Sequence, residues 1–398
     1  MSLTTAQEAL KIILDTSEDF GTEEVKFLKS LGRTLKEDIL ADRDFPPFNR
    51  ISMDGIAISS EAFNKGQRSF KIEGVQAAGS KQLTMQNPAN CIEAMTGAVL
   101  PKNTDIVIQY ELLDIKDGVA TVNLEAIKSS QNVHLKGLDR KKGDILIPKN
   151  TLISPAEIGV FATVGKMTVK VAKQPKVMII STGNELVGVC DTPEEHQIRR
   201  SNVYTLVSLL EKLNIHAETA HITDDKELLL TKINSFLNDF DVLLFSGAVS
   251  KGKFDFIPEV LDELGVDKLF HRVKQRPGKP FWFGKKDHKT IFAFPGNPVS
   301  TFASCLKYFY PWYYKSVGIN YENKNQAILA EDYFFKPDLT YFLQVKVTKE
   351  DGKVFATPIT GRGSADLANL VDSDAFLELP DDRSNFTKGE VFPLITYR

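Results

Sequence analysis

The sequence has few cysteines and no long apolar runs. Its 398 residues contain three cysteines, Cys91, Cys190 and Cys305, and no CxxC pair. Thiols so few and so widely spaced argue against a disulfide framework or a zinc knuckle, and they predict reduced cysteines in a cytoplasmic protein. No stretch approaches the roughly 18 consecutive apolar residues of a transmembrane helix, and the N-terminus does not resemble a secretory signal. We therefore expect no membrane partner.

A strong excess of one charge is also missing. Lys and Arg number 49 and Asp and Glu number 52, which gives a net charge of −3. The chain lacks the overall basic character of a nucleic-acid-binding protein, so we expect no nucleic-acid partner, although a local basic patch remains open. The six histidines form no HExxH or comparable ligand pair, which disfavours a His/Cys metal site. At about 150 residues per domain, the length predicts two to four domains.

The residue pattern changes along the chain. Thr5 and Glu8 form a capping box that begins a predicted amphipathic helix, and a second helix is predicted over 23–39. From about 50 to 150, and again near the C-terminus, apolar segments flank Asp-Gly turns, which predicts β-rich parts. The expected hairpins pair 105–111 with 119–122, and 342–347 with 354–356.

Between these parts, the chain repeats a pattern of a short apolar strand, a loop that contains glycine, and a helix. The strands are predicted at 176–181, 241–246 and 290–294. Continuous apolar strands that alternate with helices predict a parallel sheet covered on both faces. Ligands of such sheets bind at the carboxyl ends of the strands, where the three loops lie.

Four loops of this α/β part carry groups suited to an anion. Two of them, 181–186 and 246–255, combine glycines with hydroxyl groups that can cradle phosphate. In a third, Arg276 and Lys279 flank a stiff Pro-Gly turn and can grip oxyanion oxygens. The fourth, 294–300, leads into a helix for which Asn297 is the expected N-cap and Pro298 the first residue.

Each of these features also has a plain structural interpretation. The loops can be ordinary strand-to-helix turns, and the two cations can belong to a solvated turn. Asp255 can hold Mg²⁺ against a phosphate, or it can cap a helix. For 201–202 and 224–225, the simplest interpretation is that they cap the helices that follow them. Asp54 fits an ordinary Asp-Gly turn. No catalytic triad, Walker loop or GxGxxG fingerprint is present, so the residues alone predict binding of a phosphorylated small molecule and leave the reaction open.

Taken in order, the motifs resemble the molybdopterin molybdenumtransferase family, which includes the bacterial MoeA proteins and the E-domain of gephyrin. The resemblance covers nearly the whole chain. It is carried by PPF at 46–48, SMDG at 52–55, MTGA at 95–98, STGNEL at 181–186, SN at 201–202, SGAVS at 246–250 with Gly252 and Asp255, PGKP at 277–280 and PGNPVS at 295–300.

The resemblance implies a multidomain α/β fold. A three-layer α/β molybdopterin-binding domain with a parallel-type sheet would accompany a β-rich insertion and a C-terminal β-barrel-like domain. The implied boundaries are 1–21 with 173–318 for the α/β domain, 22–40 with 142–172 for a linking domain, 41–141 for the insertion and 319–398 for the C-terminal domain. A homodimer with a shared active site is implied as well.

The implied activity is insertion of molybdate into adenylylated molybdopterin, with release of AMP and with Mg²⁺ as cofactor. Asp255 would bind Mg²⁺ or assist loss of the adenylate, and Arg276 and Lys279 would neutralise phosphate or molybdate oxygens. Asp54, Thr96 and Glu111 would come from the insertion of the other subunit. The remaining substrate-binding residues would be Thr182, Gly183, Glu185, Asn202, Asp224, Ser246, Gly247, Ser250, Gly296, Asn297, Pro298 and Ser364. Further partners would be the molybdopterin adenylyltransferase and molybdoenzyme chaperones.

Four positions depart from the family pattern. The family usually has a glycine where this chain has Ala248, an acid at Asn184, a lysine at Arg276 and an arginine at Gln344. The departures leave open a non-catalytic molybdopterin-binding or scaffold protein of the same fold. Tungstate in place of molybdate also stays open.

Overall fold

The computed structural model describes residues 3–247, 255–359, 361 and 363–398. The chain divides into two compact units. The first comprises Met1–Lys36, Asn150–Pro155 and Thr168–Arg398, and the second comprises Glu37–Lys149 and Ala156–Met167. The finer division into four domains stays a prediction.

A six-stranded central sheet organises the first unit. Its strands, in spatial order, are Glu218–Ile222, Val177–Thr182, Val242–Ser246, Lys289–Phe294, Trp282–Lys286 and Asp267–His271. The first four run parallel, as the apolar segments predict. The last two join antiparallel at one edge, so the sheet is mixed at that edge.

Both faces of this sheet are buried. Along the strand Val177–Thr182, Val177 and Ile179 face one apolar core, whereas Met178 and Ile180 face another. Successive side chains of a strand point to opposite faces, so a strand with cores on both sides must be apolar throughout. This arrangement confirms the predicted three-layer α/β domain.

Helices cover the two faces. One face packs against Ala6–Asp15, Asn202–Glu211 and a long helical segment, and the other packs against Lys226–Asp239 and Ile257–Glu263. The long segment, 298–316, consists of Pro298–Ser304, a π-helical turn Cys305–Phe309, and Tyr310–Ser316. We call it the site helix. The predicted Thr5 and Glu8 capping box is present at the first helix.

The C-terminal part forms a closed five-stranded barrel. Thr340–Glu350 pairs with both Lys353–Pro358 and Ala375–Leu379, and the ring is completed by Gln326–Leu329 and Val391–Thr396. The predicted barrel-like domain is therefore confirmed, as is its hairpin at 351–352. A short strand, Gln275–Arg276, adds to the barrel in parallel, with Arg276 opposite Tyr341. A small antiparallel pair, Tyr333–Phe334 with Asn385–Phe386, accompanies the barrel. The helix Asn369–Asp372 completes this part. In the α/β part, Leu186–Val187 pairs with Ile198–Arg199, in the chain between the strand Val177–Thr182 and the helix Asn202–Glu211.

The second unit is β-rich, as predicted. Its six-stranded sheet has the order Ile106–Gln109, Gly55–Ile58, Asn90–Ala94, Ser69–Gln76, Val119–Val122, Leu113–Lys116. Two small antiparallel pairs join Arg50–Ile51 with Val133–His134, and Ile39–Leu40 with Ile145–Ile147. Its helical elements are Ser60–Asn64, a 3₁₀ turn Tyr110–Leu112, and Pro155–Thr163, whose first residue belongs to the first unit.

Two local predictions were wrong. The helix predicted over 23–39 is instead a strand, Thr22–Lys26, followed by a 3₁₀ turn Phe27–Lys29. The strand pairs with Thr168–Ala172, and this contact between distant segments overrides the local helical pattern. In the insertion, the strand that pairs across the turn at 116–118 is Leu113–Lys116. The segment 106–109 lies at the far edge of that sheet.

No helix of the described residues is long and apolar enough to cross a membrane. All three cysteines are free; Cys91 and Cys305 are buried and Cys190 is exposed.

Candidate functional site

Three loops meet at the carboxyl edge of the central sheet. The backbone of Gly247 has φ +112, and a Cβ there would lie 3.4 Å from the Thr182 carbonyl oxygen. A Cβ on Gly296 would lie 3.5 Å from the Cα of Gly247. The loops after three neighbouring strands therefore lie within van der Waals contact of one another, and the positive φ at 247 favours glycine there.

Asn202 joins two of these loops to a helix. Its Nδ2 donates to the Ser246 hydroxyl at 2.9 Å and to the Gly296 carbonyl at 2.6 Å. The sequence predicted 201–202 as a helix cap, but Ser201 at the N-cap makes no side-chain capping bond. Asn202, the first helical residue, instead fixes the spacing between the helix and the loops.

A cavity of about 470 Å³ opens beside these loops. It is lined by eight of the predicted substrate-binding residues, which are Thr182, Glu185, Asn202, Ser246, Gly247, Gly296, Asn297 and Pro298. The Thr182 hydroxyl is buried without a hydrogen-bond partner among the described residues. A buried hydroxyl without a partner is costly unless a ligand or water bonds to it, so this wall suits a polar ligand. We call this space the hydroxyl cavity.

Two arginines that the sequence analysis did not single out also line the hydroxyl cavity. They are Arg199, which is exposed, and Arg200, which is partly buried. Nearby, the Nδ1 of His221 lies 3.1 Å from the Ser181 hydroxyl. Burial, and secondly the charge of Arg200, lower the pKa of His221 below its usual value.

At the rim, the segment 183–185 folds onto Asp224. The Asn184 amide donates to the Asp224 carboxylate at 3.3 Å, and the Asp224 amide donates to the Asn184 side-chain oxygen at 3.1 Å. Gly183 has φ +134, and a Cβ there would lie 2.5 Å from Oε2 of Glu185. Asn184, a departure from the family pattern, thus has a definite structural role. The neighbouring Asp225 caps the following helix, as predicted.

Arg276 and Lys279 are presented by a loop, 276–279, which we call the cation loop. Both side chains belong to exposed residues. The Arg276 guanidinium lies 5.7 Å from the Phe335 ring centroid and 6.0 Å from that of Tyr341. Guanidinium groups stack on aromatic faces and ammonium groups do so less readily, so the barrel supports an arginine at this position.

The cation loop borders a second cavity, of about 450 Å³. Its lining includes Arg276, Lys279 and Ser364, together with Gln344 from the barrel. The Gln344 Nε2 donates to the Ser373 hydroxyl at 3.3 Å. We call this space the cation cavity. It shares Pro280, Pro295 and Asn297 with the hydroxyl cavity, so the two adjoin.

Asn297 and Ser364 connect the barrel part to the start of the site helix. The Asn297 Nδ2 donates to the Ser364 hydroxyl at 2.7 Å, and the Val299 amide donates to the Ser364 carbonyl at 3.1 Å. Asn297 occupies the N-cap position and Pro298 begins the helix, as predicted, but the Asn297 side chain makes no capping bond. The side chain that the sequence assigned to a cap therefore links two parts of the first unit.

The loop after the strand Val242–Ser246 is described only in part. Ser250, and the departure Ala248, lie outside the described residues. Asp255 is partly buried and precedes Phe256, the N-cap residue of the helix Ile257–Glu263. Asp255 is thus not the N-cap, and it is not among the described lining residues of either cavity. Across the described residues, no three His, Cys, Asp or Glu side chains cluster in a way that could hold a metal ion.

The other three predicted site residues lie in the second unit. The Thr96 amide donates to the Asp54 carboxylate at 2.6 Å, and this bond lowers the pKa of Asp54. Glu111 is exposed in the 3₁₀ turn Tyr110–Leu112. The structure therefore brings Asp54 and Thr96 together.

Known proteins resemble this chain over its whole length. The family described as "MoeA N-terminal region (domain I and II)" matches residues 4–165, "Probable molybdopterin binding domain" matches 178–313, and "MoeA C-terminal region (domain IV)" matches 326–397. A Synechocystis protein named molybdopterin molybdenumtransferase is 38% identical over 398 residues, covering 98% of each chain. A Bacillus subtilis protein of the same name is 29% identical, covering 98% of this chain and 93% of its own. A crystal structure of a molybdopterin biosynthesis MoeA protein from Pyrococcus horikoshii matches all of both chains, with a TM-score of 0.86 and 29% identity.

Proposed function

Because this chain belongs to the molybdopterin molybdenumtransferase (MoeA) family, we propose that it inserts molybdate into adenylylated molybdopterin and releases AMP. The structural observation that carries the proposal is the pair of adjoining cavities. One is walled by hydroxyl groups and close-packed glycine loops, and the other is bordered by two cations. This pairing suits a phosphorylated organic substrate next to an oxyanion.

The chemistry needs two reactants held in contact more than it needs a strong acid or base. The hydroxyl cavity would hold the organic substrate against Thr182 and Asn202, and the cation cavity would hold molybdate at Arg276 and Lys279. Fixing two reactants at neighbouring sites removes much of the entropic cost of their meeting. Cations aimed at the oxyanion stabilise charge that develops during transfer. AMP would leave by hydrolysis: the oxygen of a water molecule bonds to phosphorus as the phosphoanhydride bond between the adenylate and the substrate phosphate breaks, and a proton is released.

We propose that Mg²⁺ binds at this site as an ion shared with the substrate. The described residues contain no cluster of three acidic or histidine ligands, so an all-protein cage is not available among them. Mg²⁺ commonly binds through one or two carboxylates together with substrate phosphates, and we propose Asp255 as such a ligand. Bound there, the ion would neutralise phosphate charge as AMP leaves, while Glu185 and Asp224 line or flank the cavity rim.

We further propose that the protein works as a homodimer in which Asp54, Thr96 and Glu111 of one subunit complete the site of the other. Their position in a separate compact unit supports this assignment. Partners would be the adenylyltransferase that supplies the substrate and the chaperones that receive the product. The free cysteines fit a cytoplasmic location.

The direct test measures AMP release by the purified protein supplied with adenylylated molybdopterin, molybdate and Mg²⁺. Wild-type protein should release AMP and form active cofactor. Asp255→Asn should lose most of this activity but keep its affinity for the substrate, since it removes a charge and little volume. Asp262→Asn, an exposed aspartate on the following helix, is the matched control and should retain full activity.

The outcomes separate the two functions left open by the sequence. Absence of AMP release with every divalent metal tried, together with equal substrate binding by wild-type protein and Asp255→Asn, would support a non-catalytic binding protein. Replacing molybdate by tungstate in the same assay decides which oxyanion is the better substrate.

A further inference from the structure

The cation loop rests on a fully buried amide. Gln275, which precedes the loop, has no exposed surface. Its Nε2 donates to the carbonyl of Pro277 at 3.1 Å and to that of Gly278 at 3.4 Å. Its Oε1 accepts a hydrogen bond from the hydroxyl of Tyr308 on the site helix. One side chain thus connects the backbone of the loop to the helix beneath it.

The partners of the Gln275 amide determine which group donates and which accepts in each of these hydrogen bonds. The carbonyls of Pro277 and Gly278 can only accept, so the amide nitrogen must face them and the amide oxygen must face Tyr308. Tyr308 must then donate, and burial raises the pKa of its hydroxyl well above the usual value, so it keeps its proton. The two carbonyls therefore set the orientation of the Gln275 amide, and Tyr308 supplies the hydrogen bond that its oxygen needs.

The loop lies tightly on this support. Gly278 has φ +91, and a Cβ there would lie 2.8 Å from Nε2 of Gln275 and 3.0 Å from the hydroxyl of Ser304. Tyr308 belongs to the π-helical turn Cys305–Phe309, a distortion that often occurs at functional sites. In the same turn, Lys307 pairs with Glu378 of the barrel at 2.7 Å. The turn is thus fixed to the barrel on one side and to the loop on the other.

We propose that Gln275 and Tyr308 are positioning residues that hold the cation loop in the shape in which Arg276 and Lys279 bind the oxyanion. The identity of that oxyanion as molybdate rests on the proposed function. Tyr308 is not among the described lining residues of either cavity, and Gln275, although it borders the cation cavity, directs its amide to the loop carbonyls and to Tyr308. Both act through the backbone of the loop, so their loss should weaken oxyanion binding more than binding of the organic substrate in the neighbouring cavity.

The test compares two tyrosines of the site helix. Tyr308→Phe leaves the buried Gln275 oxygen without its hydrogen-bond donor, and Gln275→Met removes the amide while keeping a similar volume. Tyr313→Phe is the matched control, because the Tyr313 hydroxyl is also buried but donates to the Leu213 carbonyl at 3.2 Å. Two quantities are measured in each variant: hydrogen exchange of the Val273 amide, which donates to the Lys279 carbonyl at 2.9 Å at the base of the loop, and the KM values of both substrates.

Tyr308→Phe and Gln275→Met should each speed Val273 exchange and raise the KM for molybdate about tenfold, as expected for a buried polar group left without its partner. The KM for adenylylated molybdopterin should change little, and Tyr313→Phe should change none of these quantities. Equal effects in Tyr313→Phe, or faster exchange without a change in the molybdate KM, would overturn the proposal. If wild-type protein releases no AMP but Val273 exchange rises only in the two test variants, the pair still shapes the loop and the transferase function is what fails.

Discussion

His221 and Ser181 are neighbouring side chains at the carboxyl edge of the central sheet. The His221 ring lies on the edge strand Glu218–Ile222 and its Nδ1 is 3.1 Å from the Ser181 hydroxyl. Burial and then Arg200 disfavour the protonated ring. The hydrogen bond with Ser181, and then the carboxylates of Asp224 and Glu185, oppose them only in part, so the pKa of His221 is lowered from 6.5. The unfolded chain therefore takes up a proton here at a higher pH than the folded chain does.

This difference predicts a loss of stability on acidification. As the pH falls below about 6.5, protonation favours the unfolded state until the lower folded pKa is passed. Other groups with lowered pKa values are carboxylates such as Asp54, whose pKa values in the unfolded chain are 3.8 to 4.5. Their protonation therefore reduces stability only at lower pH. The melting temperature should fall between pH 7 and pH 5, and His221→Gln should reduce that fall.

His216→Gln is the control for this prediction, since His216 is exposed. It should leave the slope of melting temperature against pH as in the wild type. If His216→Gln reduces the slope as much as His221→Gln does, the pH response belongs to histidines in general rather than to the buried ring.

At the scale of elements, one ion pair joins the site helix to the barrel. The Lys307 ammonium and the Glu378 carboxylate are 2.7 Å apart, with side-chain exposures of 13% and 15%. Lys307→Met leaves Glu378 charged and mostly buried without its partner, and we expect a loss of about 3 kcal/mol in the free energy of unfolding. Calorimetric unfolding of the purified variant measures this loss.

Two further variants separate charge from packing in that experiment. Lys307→Met combined with Glu378→Leu removes both charges and should recover most of the lost stability. Lys65→Met breaks a pair with Glu61 that is largely exposed, and it should cost less than about 1 kcal/mol. A double variant no more stable than Lys307→Met alone would contradict the expected role of the unpaired charge.

The elements also show which features of the fold a sequence can predict. Three strands of the central sheet, Val177–Thr182, Val242–Ser246 and Lys289–Phe294, were predicted because each is largely apolar, as sheets covered on both faces require. The other three strands of that sheet mix apolar with polar residues and were not predicted. The strand Thr22–Lys26 was missed because its partner, Thr168–Ala172, is far away in sequence. Nothing in the local pattern of Glu23, Glu24 and Val25 reports that pairing.

The same reasoning applies to the candidate site. Glycines and prolines marked the turns at 183, 278 and 296, because turns need those residues at fixed places; that these loops bind substrate stays a prediction. The sequence did not reveal that Gln275 supports the cation loop or that Arg200 lines the hydroxyl cavity. A buried glutamine and a pair of arginines carry no local signal, since their roles depend on contacts, such as that of Gln275 with Tyr308, that only the tertiary fold creates.

At the scale of the whole molecule, the net charge is −3, yet cationic side chains are concentrated at the two cavities. Arg276 and Lys279 border one cavity and Arg199 and Arg200 line the other. The predicted acids Asp54 and Glu111 lie in a different compact unit. The proposed dimer would unite these groups, and it makes a quantitative prediction.

The prediction is complementation between two inactive variants. Asp54→Ala and Asp255→Ala should each abolish AMP release as pure proteins. If unit two of one subunit completes the site of the other, each mixed dimer has one intact site, because the α/β part of the Asp54→Ala subunit meets the unaltered second unit of its partner. Refolding the variants together in equal amounts would place half the chains in mixed dimers, so a two-fold symmetric dimer should recover about a quarter of wild-type activity.

Each variant refolded alone is the control and should stay inactive. If each subunit instead builds its site from its own residues, every site in a mixed dimer carries one of the two substitutions, and the mixture should stay inactive too. Mixed dimers are identified by native mass spectrometry with isotopic labelling of one variant. Dimers that form in the expected proportion but release no AMP would therefore rule out the shared site while leaving the dimer itself intact.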